Sequence, residues 1–145
     1  MRRLVVVIGM LLAILALVTC AGSGGEGIVV TDAWARPSPM AQGNGAAYMV
    51  IRNNGSAADA LVGASADFAT TVELHESVME GDMASMHPVE QIDLPAGGSV
   101  ELKPGGYHIM LIGITQPLEE GQTVTITLHF AQADDIEVQA PVRQQ

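Results

Sequence analysis

The residues in this sequence most able to do chemistry lie around "YHIMLIGI", residues 107–114, where a histidine and a methionine stand two positions apart in an apolar run. Residues two apart on a β-strand face the same side, so His108 and Met110 share a face if this segment is a strand. A second histidine, His75, is followed after ten residues by Met86, and twenty-one residues separate Met86 from His108. His108 and Met110 can therefore converge on one point above this strand, and His75 and Met86 are candidates to join them there.

Two imidazoles and two thioethers form a ligand set that favours Cu(I). Thioether sulfur is soft and uncharged and prefers Cu(I), whereas zinc sites are usually built from Cys, His and carboxylate ligands. A single histidine is more often a hydrogen-bonded core or surface residue than a metal ligand, and Met110 alone is more often a core residue than a ligand. The spacing of the four residues favours ligation. A blue-copper centre also needs a Cys thiolate, and the only cysteine, Cys20, ends an N-terminal targeting segment. The predicted role is therefore storage or hand-over of the ion rather than fast electron transfer.

The polar segment "VMEGDMASMHPVEQ", residues 78–91, contains three methionines. A methionine on a polar loop buries little apolar surface, so packing explains these residues poorly. Met79 and Met83 are either auxiliary thioethers that pass copper along or partly buried loop residues. The candidate secondary metal ligands are Met83, Met79, His87 and Met40, and a secondary Cu(II) site in this loop is an open alternative.

The spacing H-x10-M-x21-H-x-M matches the signature of the PCu(A)C family of periplasmic copper chaperones, which this chain resembles. The segments "NGAAYMVIRN" and "LEEGQTVTITLHF" also look like that family, and the resemblance covers residues 28–142. It implies a cupredoxin-like sandwich whose Cu(I) ligands are His75, Met86, His108 and Met110. It also implies delivery of the ion to a copper acceptor, either cytochrome c oxidase subunit II during assembly of its CuA centre or another copper chaperone.

The elements that must position these residues are short strands separated by turn signals. "GAAYMVIRNNG" alternates in a way that points Met49 toward a core, and "GQTVTITLHF" places four apolar side chains on one face, those of Val124, Ile126, Leu128 and Phe130. About eight such segments follow one another at spacings of about 8–12 residues, which is typical of a sandwich. No amphipathic helix pattern occurs between residues 28 and 142. We predict an all-β fold, an antiparallel Greek-key β-sandwich.

The N-terminal residues have the pattern of a secretion signal. Arg2 and Arg3 precede an apolar run, Leu4 to Val18, that is too short for a membrane span and ends at "LVTC". We predict a lipoprotein signal over residues 1–20, lipidation at Cys20, a flexible tether over 21–27 and one domain over 28–142. The alternative is ordinary cleavage after Ala21. The protein is then extracytoplasmic, either periplasmic or held at the membrane by its lipid anchor alone.

Composition and missing motifs narrow the function classes. The chain has 6 Lys and Arg against 16 Asp and Glu, a formal net charge of −10, which disfavours nucleic acid as a partner. With one cysteine the domain has no internal disulfide and depends on an ordinary core; we expect a monomer. The sequence contains no paired-carboxylate, nucleophile-elbow or H-E-x-x-H motif, so we predict that it is not an enzyme. The alternatives are a structural or adhesive lipoprotein without metal and, less favoured, a metal-dependent enzyme.

Overall fold

The computed structural model describes residues 27–145, and every regular element in this range is a β-strand. The predicted signal with Cys20, and the tether up to residue 26, lie outside the described residues. Within the described range no helix is long and apolar enough to cross a membrane. The strands are β1 (Ile28–Ala35), β2 (Gly45–Asn53), β3 (Asp59–Ser65), β4 (Ala69–Glu80), β5 (Met83–Pro88), β6 (Ile92–Leu94), β7 (Ser99–Leu102), β8 (Tyr107–Ile114), β9 (Thr123–Phe130) and β10 (Ile136–Pro141).

The strands form two antiparallel sheets. The front sheet has the order β1-β2-β8-β4-β5, and β7 pairs with β2 beyond the end of β8; the back sheet has the order β10-β9-β3-β6. Strands far apart in sequence are neighbours in space, as in Greek-key arrangements. The predicted all-β antiparallel sandwich is therefore confirmed.

The chain forms ten strands in this range rather than about eight. The first additional strand, β5, lies in the polar segment where the sequence predicts a loop. It pairs with β4 at the edge of the front sheet, where a strand needs no alternating apolar residues because little of it is buried. The second, β6, has only three residues and pairs with β3 through Asp59 and Leu61.

The core lies between the two sheets and holds β8 in place. The inward-facing residues of β8, Ile109 and Leu111, are fully buried. The back sheet contributes the four predicted residues of β9, all of them buried: Val124, Ile126, Leu128 and Phe130. Met49 of β2 is also buried, as its alternation predicts. Each fully buried aliphatic side chain contributes about 1.5–3 kcal/mol, so the orientation of β8 is strongly determined and its alternate residues must face outward.

The outer face of the front sheet carries a row of rings. Trp34 of β1 lies opposite Tyr48 of β2, with their ring centroids 4.6 Å apart. The Tyr48 centroid lies in turn 6.3 Å from that of His108, and the Arg143 guanidinium lies 4.7 Å above the Trp34 ring. This row covers one side of His108, which is only 3% exposed although it faces away from the core.

Candidate metal centre

The register of β4 with β8 brings the two histidines together. His75 lies directly opposite His108, and Glu73 lies opposite Met110. Because residues two apart on a strand face the same side, all four side chains belong to one face of the sheet. The two imidazole centroids are 5.7 Å apart. Two residues separated by 32 sequence positions are thus side by side.

A glycine turn before β8 sets the orientation of the His108 ring. Gly105 has φ +83°, in the left-handed region that favours glycine, and the N–H of Gly106 donates to the carbonyl of Lys103 at 3.0 Å. The Gly106 carbonyl then accepts a hydrogen bond from Nδ1 of His108 at 3.2 Å. With Nδ1 engaged as the donor, the lone pair of the ring lies on Nε2, which is left to bind a metal ion.

Met86 reaches the same face from β5. The β4–β5 hairpin closes from Glu80 to Met83 around Gly81, whose φ of +67° suits the first position of a two-residue turn. This register sets Met86 opposite Ser77, two residues beyond His75 on β4. Met86 is 55% exposed, so its thioether is held by backbone pairing rather than by burial.

Three of the four predicted ligands line one cavity. It has a volume of about 270 Å³, far above the about 10–15 Å³ that one water molecule needs. Its wall includes Met86, His108 and Met110 together with Arg36, Tyr48 and Ala46. His75 is not part of this wall; its ring lies next to that of His108 and is turned toward Glu73.

His75 carries an acceptor that nothing in the described residues satisfies. Its Nε2 lies 2.8 Å from a carboxylate oxygen of Glu73, and since a carboxylate only accepts, Nε2 bears the proton. Its Nδ1 then has the lone pair, and this atom is buried without a hydrogen-bond partner. A buried unsatisfied acceptor costs about 1–3 kcal/mol, a cost that a bound cation would remove. The two histidines therefore fit a metal ion, each with a different ring nitrogen free.

Nitrogen and carboxylate donors alone do not form a metal site in the described residues. Over residues 27–145 no three His, Cys, Asp or Glu side chains gather in a way that could hold an ion. Met86 and Met110 add soft sulfur donors on the same face of the sheet as the paired histidines and the carboxylate of Glu73. A set of this kind suits a soft monovalent cation better than zinc or a hard divalent cation.

The environment of His108 keeps its imidazole neutral near pH 7. Burial lowers the pKa of His108 below the usual 6.5, while the hydrogen bond to Gly106 acts in the opposite direction. The positive charge of Arg36 lowers the pKa of His108 further. A neutral ring has a lone pair to donate to a metal ion, and protons compete for this nitrogen only at more acidic pH.

The candidate secondary ligands are not gathered at this site. Met83 and His87 lie on the opposite face of the hairpin, since they alternate with Met86, and Met40 lies between β1 and β2 outside the cavity wall. Met79 shares the face of His75, next to the Ser77–Met86 pair. Their interpretation as partly buried loop residues is wrong for Met79 and Met83, which belong to strands and are 68% and 75% exposed.

Three residues near the site were not anticipated from the sequence. Glu73 lies two residues before His75. Because residues two apart on a strand share a face, the sequence alone could have placed Glu73 beside His75. Arg36, directly after β1, and Tyr48 of β2 lie more than twenty residues before the nearest of the four predicted primary ligands, His75. No local pattern connects them with the site, because only the pairing of β2 with β8 brings them there.

Comparison with known families finds one that spans the described domain. The family model described as "LpqE-like: Putative lipoprotein LpqE-like" matches residues 28–142. By sequence, "Putative lipoprotein Lxx21020" of Leifsonia xyli subsp. xyli (strain CTCB07) is 35% identical over 123 residues, which is 84% of this chain and 73% of that protein.

Two solved structures resemble the fold closely. The solution structure of "CuI-DR1885" from Deinococcus radiodurans has a TM-score of 0.63 and 33% identity, and the match covers 83% of each chain. The structure titled "Copper-bound PCuAC domain from PmoF2" has a TM-score of 0.70 over 83% of this chain and 95% of that one. Its identity is 24%, so this second likeness concerns the fold.

Proposed function

The chain belongs to the LpqE-like family and has the fold of PCu(A)C domains, and from this we propose that it is an extracytoplasmic Cu(I) chaperone. It holds one ion on the outer face of the front sheet and hands it to an acceptor protein. The proposed ligands are His75, Met86, His108 and Met110. Copper is the cargo of this protein, and no bond in an organic substrate is made or broken.

The observation that carries this proposal is the paired arrangement of the two histidines. His75 and His108 lie side by side, and the buried Nδ1 of His75 has no hydrogen-bond partner in the described residues. Met110 lies two residues after His108 on β8. Met86 lies opposite Ser77, which is two residues after His75 on β4, so soft donors are present on the same face. The choice of ion is supported by DR1885 of Deinococcus radiodurans, which is 33% identical to this chain and has a solution structure with Cu(I).

Release of the ion follows from the type of ligand. Thioethers are neutral donors, so an incoming thiolate competes well for Cu(I) without having to displace a charged sulfur. We propose cytochrome c oxidase subunit II, during assembly of its CuA centre, or another copper chaperone as the recipient.

The proposed location rests on the N-terminal sequence and on the related lipoproteins. Lipidation of Cys20, which becomes the mature N-terminus when the residues before it are removed, anchors the domain at the outer side of the membrane, with residues 21–27 as a tether to the domain of residues 28–142. Mass spectrometry of the mature N-terminus tests this assignment. A diacylglyceryl group on Cys20 is expected, and a free N-terminus after Ala21 contradicts it.

A competition between the protein and a Cu(I) chelator tests the proposed function. We expect Met86→Leu and His108→Ala to weaken Cu(I) binding by more than the about 10–100-fold typical of losing an outer-shell partner, because each removes a ligand. Met83→Leu is the matched control, since it changes an exposed methionine on the opposite face of the same hairpin. A thermal unfolding curve for each variant verifies the fold. If the wild-type protein does not take up Cu(I), or if Met86→Leu and His108→Ala both retain wild-type affinity, the assignment is wrong.

A further inference from the structure

We propose that the cavity next to the copper ligands is a binding site for the anionic donor of the copper acceptor, a thiolate, and that Arg36 attracts it. This inference rests on the proposed function and identifies the side from which the acceptor's ligand enters.

Arg36 lies beside Met110 across a single small residue. It directly follows β1, and its N–H donates to the carbonyl of Ala46 at 2.9 Å. Ala46 in turn lies opposite Met110 in the register of β2 with β8. Adjacent strands are about 4.8 Å apart, so Arg36 is two strand spacings from Met110. Because Ala46 has only a methyl group, the space between them stays open and forms part of the cavity.

The guanidinium of Arg36 is positioned but not neutralised. It lies 5.8 Å from the centroid of the Tyr48 ring, a cation–π contact that orients it at the cavity wall. No carboxylate of residues 27–145 lies within 4.0 Å of it, whereas Lys103 has Glu101 at 3.3 Å. Arg36 is also exposed to solvent. It can therefore meet an anion without first breaking an ion pair.

The cavity is larger than the copper ion requires. Its volume of about 270 Å³ exceeds by more than tenfold the about 10–15 Å³ that one water needs. The wall on the side away from the hairpin is formed by Pro37, Asn44 and Gly45. A small side chain such as that of cysteine can therefore enter between Arg36 and the ligands while copper is bound.

The charges across this face differ between its two sides. Glu73 lies on one side of Met110 and Arg36 on the other, because β4 and β2 flank β8. The protein carries an overall formal charge of −10, which repels anions in general. Arg36 is the local exception at the cavity, so a thiolate enters from the Arg36 side, opposite Glu73.

The exchange itself is balanced in charge and electrons. The acceptor's thiol loses its proton to solvent and reaches the cavity as a thiolate. A bond forms between Cu(I) and the thiolate sulfur while the bond from Cu(I) to the thioether of Met86, the most exposed of the four ligands, breaks. Copper stays in the monovalent state throughout, and no oxidant or reductant takes part.

Two acceptors of different charge separate this proposal from a structural role of Arg36. Dithiothreitol reacts as a thiolate, and transfer to it is followed by the ultraviolet absorption of the copper–thiolate bond. The neutral chelator 2,9-dimethyl-1,10-phenanthroline is followed by the colour of its Cu(I) complex. Both rates are measured on the copper-loaded wild-type protein, Arg36→Gln, Arg36→Lys and Arg52→Gln. Arg52 is the control, an exposed arginine of β2 bonded to Asn54.

We expect Arg36→Gln to slow transfer to dithiothreitol by about threefold or more, because a steering charge is lost. Transfer to the neutral chelator should not slow and the equilibrium affinity for Cu(I) should not fall. Arg36→Lys should recover part of the rate, and Arg52→Gln should behave as wild type. The proposal is overturned if Arg36→Gln slows both acceptors alike, lowers the affinity itself, or slows dithiothreitol no more than Arg52→Gln does. Failure of the wild-type protein to bind Cu(I) is a separate result, which contradicts the proposed function as well.

Discussion

At the scale of single residues, the two histidines offer different nitrogen atoms. His108 uses Nδ1 to bond the Gly106 carbonyl, whereas His75 uses Nε2 to bond Glu73. In both rings the nitrogen that is not free for a metal ion donates a hydrogen bond to a fixed acceptor. This bond sets the tautomer and orients the ring. These outer partners are a backbone carbonyl and a carboxylate, and only the carboxylate can be removed by mutation.

Glu73→Gln tests the importance of the carboxylate partner. The amide oxygen can still accept a hydrogen bond from His75, but it lacks the negative charge that makes the imidazole a stronger donor to the metal. We expect the Cu(I) affinity to fall by about 10-fold, at the lower end of the effects of outer-shell changes. A chelator competition measures it. Glu76→Gln is the control, since Glu76 lies on the opposite face of β4; equal affinities for both variants would show that Glu73 has no such role.

The lowered pKa of His108 predicts a pH dependence of stability. Burial, its largest cause, places the folded-state pKa below the unfolded value of about 6.5, so the unfolded chain binds more protons as the solution is acidified. The contribution of His108 to the free energy of unfolding is therefore complete above pH of about 6.5 and is lost as the pH falls through the folded pKa.

Urea unfolding of the copper-free protein at several pH values between 7.5 and 5 measures this effect. We expect the wild-type protein to lose more free energy of unfolding over this range than His108→Gln, whose side chain does not titrate. Carboxylates titrate in both proteins, so the difference between the two curves isolates His108. Parallel curves for the two proteins would contradict the lowered pKa of His108. Cu(I) binding should also weaken as the pH falls, because protons compete for the same nitrogen.

At the scale of elements, the site joins a rigid strand to an edge strand. β8 is fixed by its buried inner residues and by pairing on both sides, whereas β5 is paired only with β4 and is largely exposed. Met110 and His108 are therefore presented by the core, and Met86 depends on the register of one hairpin. This arrangement suits a protein that hands over its ion, since Met86 can move away while the proposed ligands on β4 and β8 stay in place.

Gly81→Ala tests the dependence of Met86 on the hairpin turn. Its φ of +67° is unfavourable for alanine by about 1–2 kcal/mol, and nothing crowds the position of the added methyl group. We expect a loss of stability of this size together with weaker Cu(I) binding, since the turn sets the register of Met86.

Gly97→Ala is the matched control for this turn variant. Gly97 has a similar φ of +69°, an equally open surrounding and a place in the turn before β7. It should cost similar stability, measured by urea unfolding, and leave the copper affinity unchanged. If the two variants bind copper equally well, the hairpin register does not determine the position of Met86.

At the scale of the whole molecule, the sequence was enough to predict the class of fold and the shared face of His108 and Met110. The alternation of β9 predicts its buried face, and the two-residue period places His108 and Met110 together because local backbone geometry fixes both. β5 was not predicted, since an exposed edge strand stabilised by backbone pairing leaves no apolar pattern. Arg36 and Tyr48 were not anticipated either, because contacts between distant strands depend on the topology and not on local spacing.

The whole domain is a β-sandwich without disulfides in an acidic chain. The candidate soft ligands lie on the outer face of its front sheet. Its single cysteine lies in the predicted signal, so no thiol of residues 27–145 can oxidise outside the cell. Thioethers avoid disulfide formation, although they remain open to sulfoxide formation. The molecule as a whole is thus suited to holding a monovalent copper ion in an oxidising compartment.

X-ray absorption at the copper edge during a Cu(I) titration tests the central claim most directly. We predict saturation at one ion per chain, with two nitrogen and two sulfur neighbours supplied by His75, His108, Met86 and Met110. Met86→Leu should remove one sulfur neighbour and leave both nitrogen neighbours in place. A bound ion with only nitrogen and oxygen neighbours, or a sulfur count unchanged by Met86→Leu, would contradict the account.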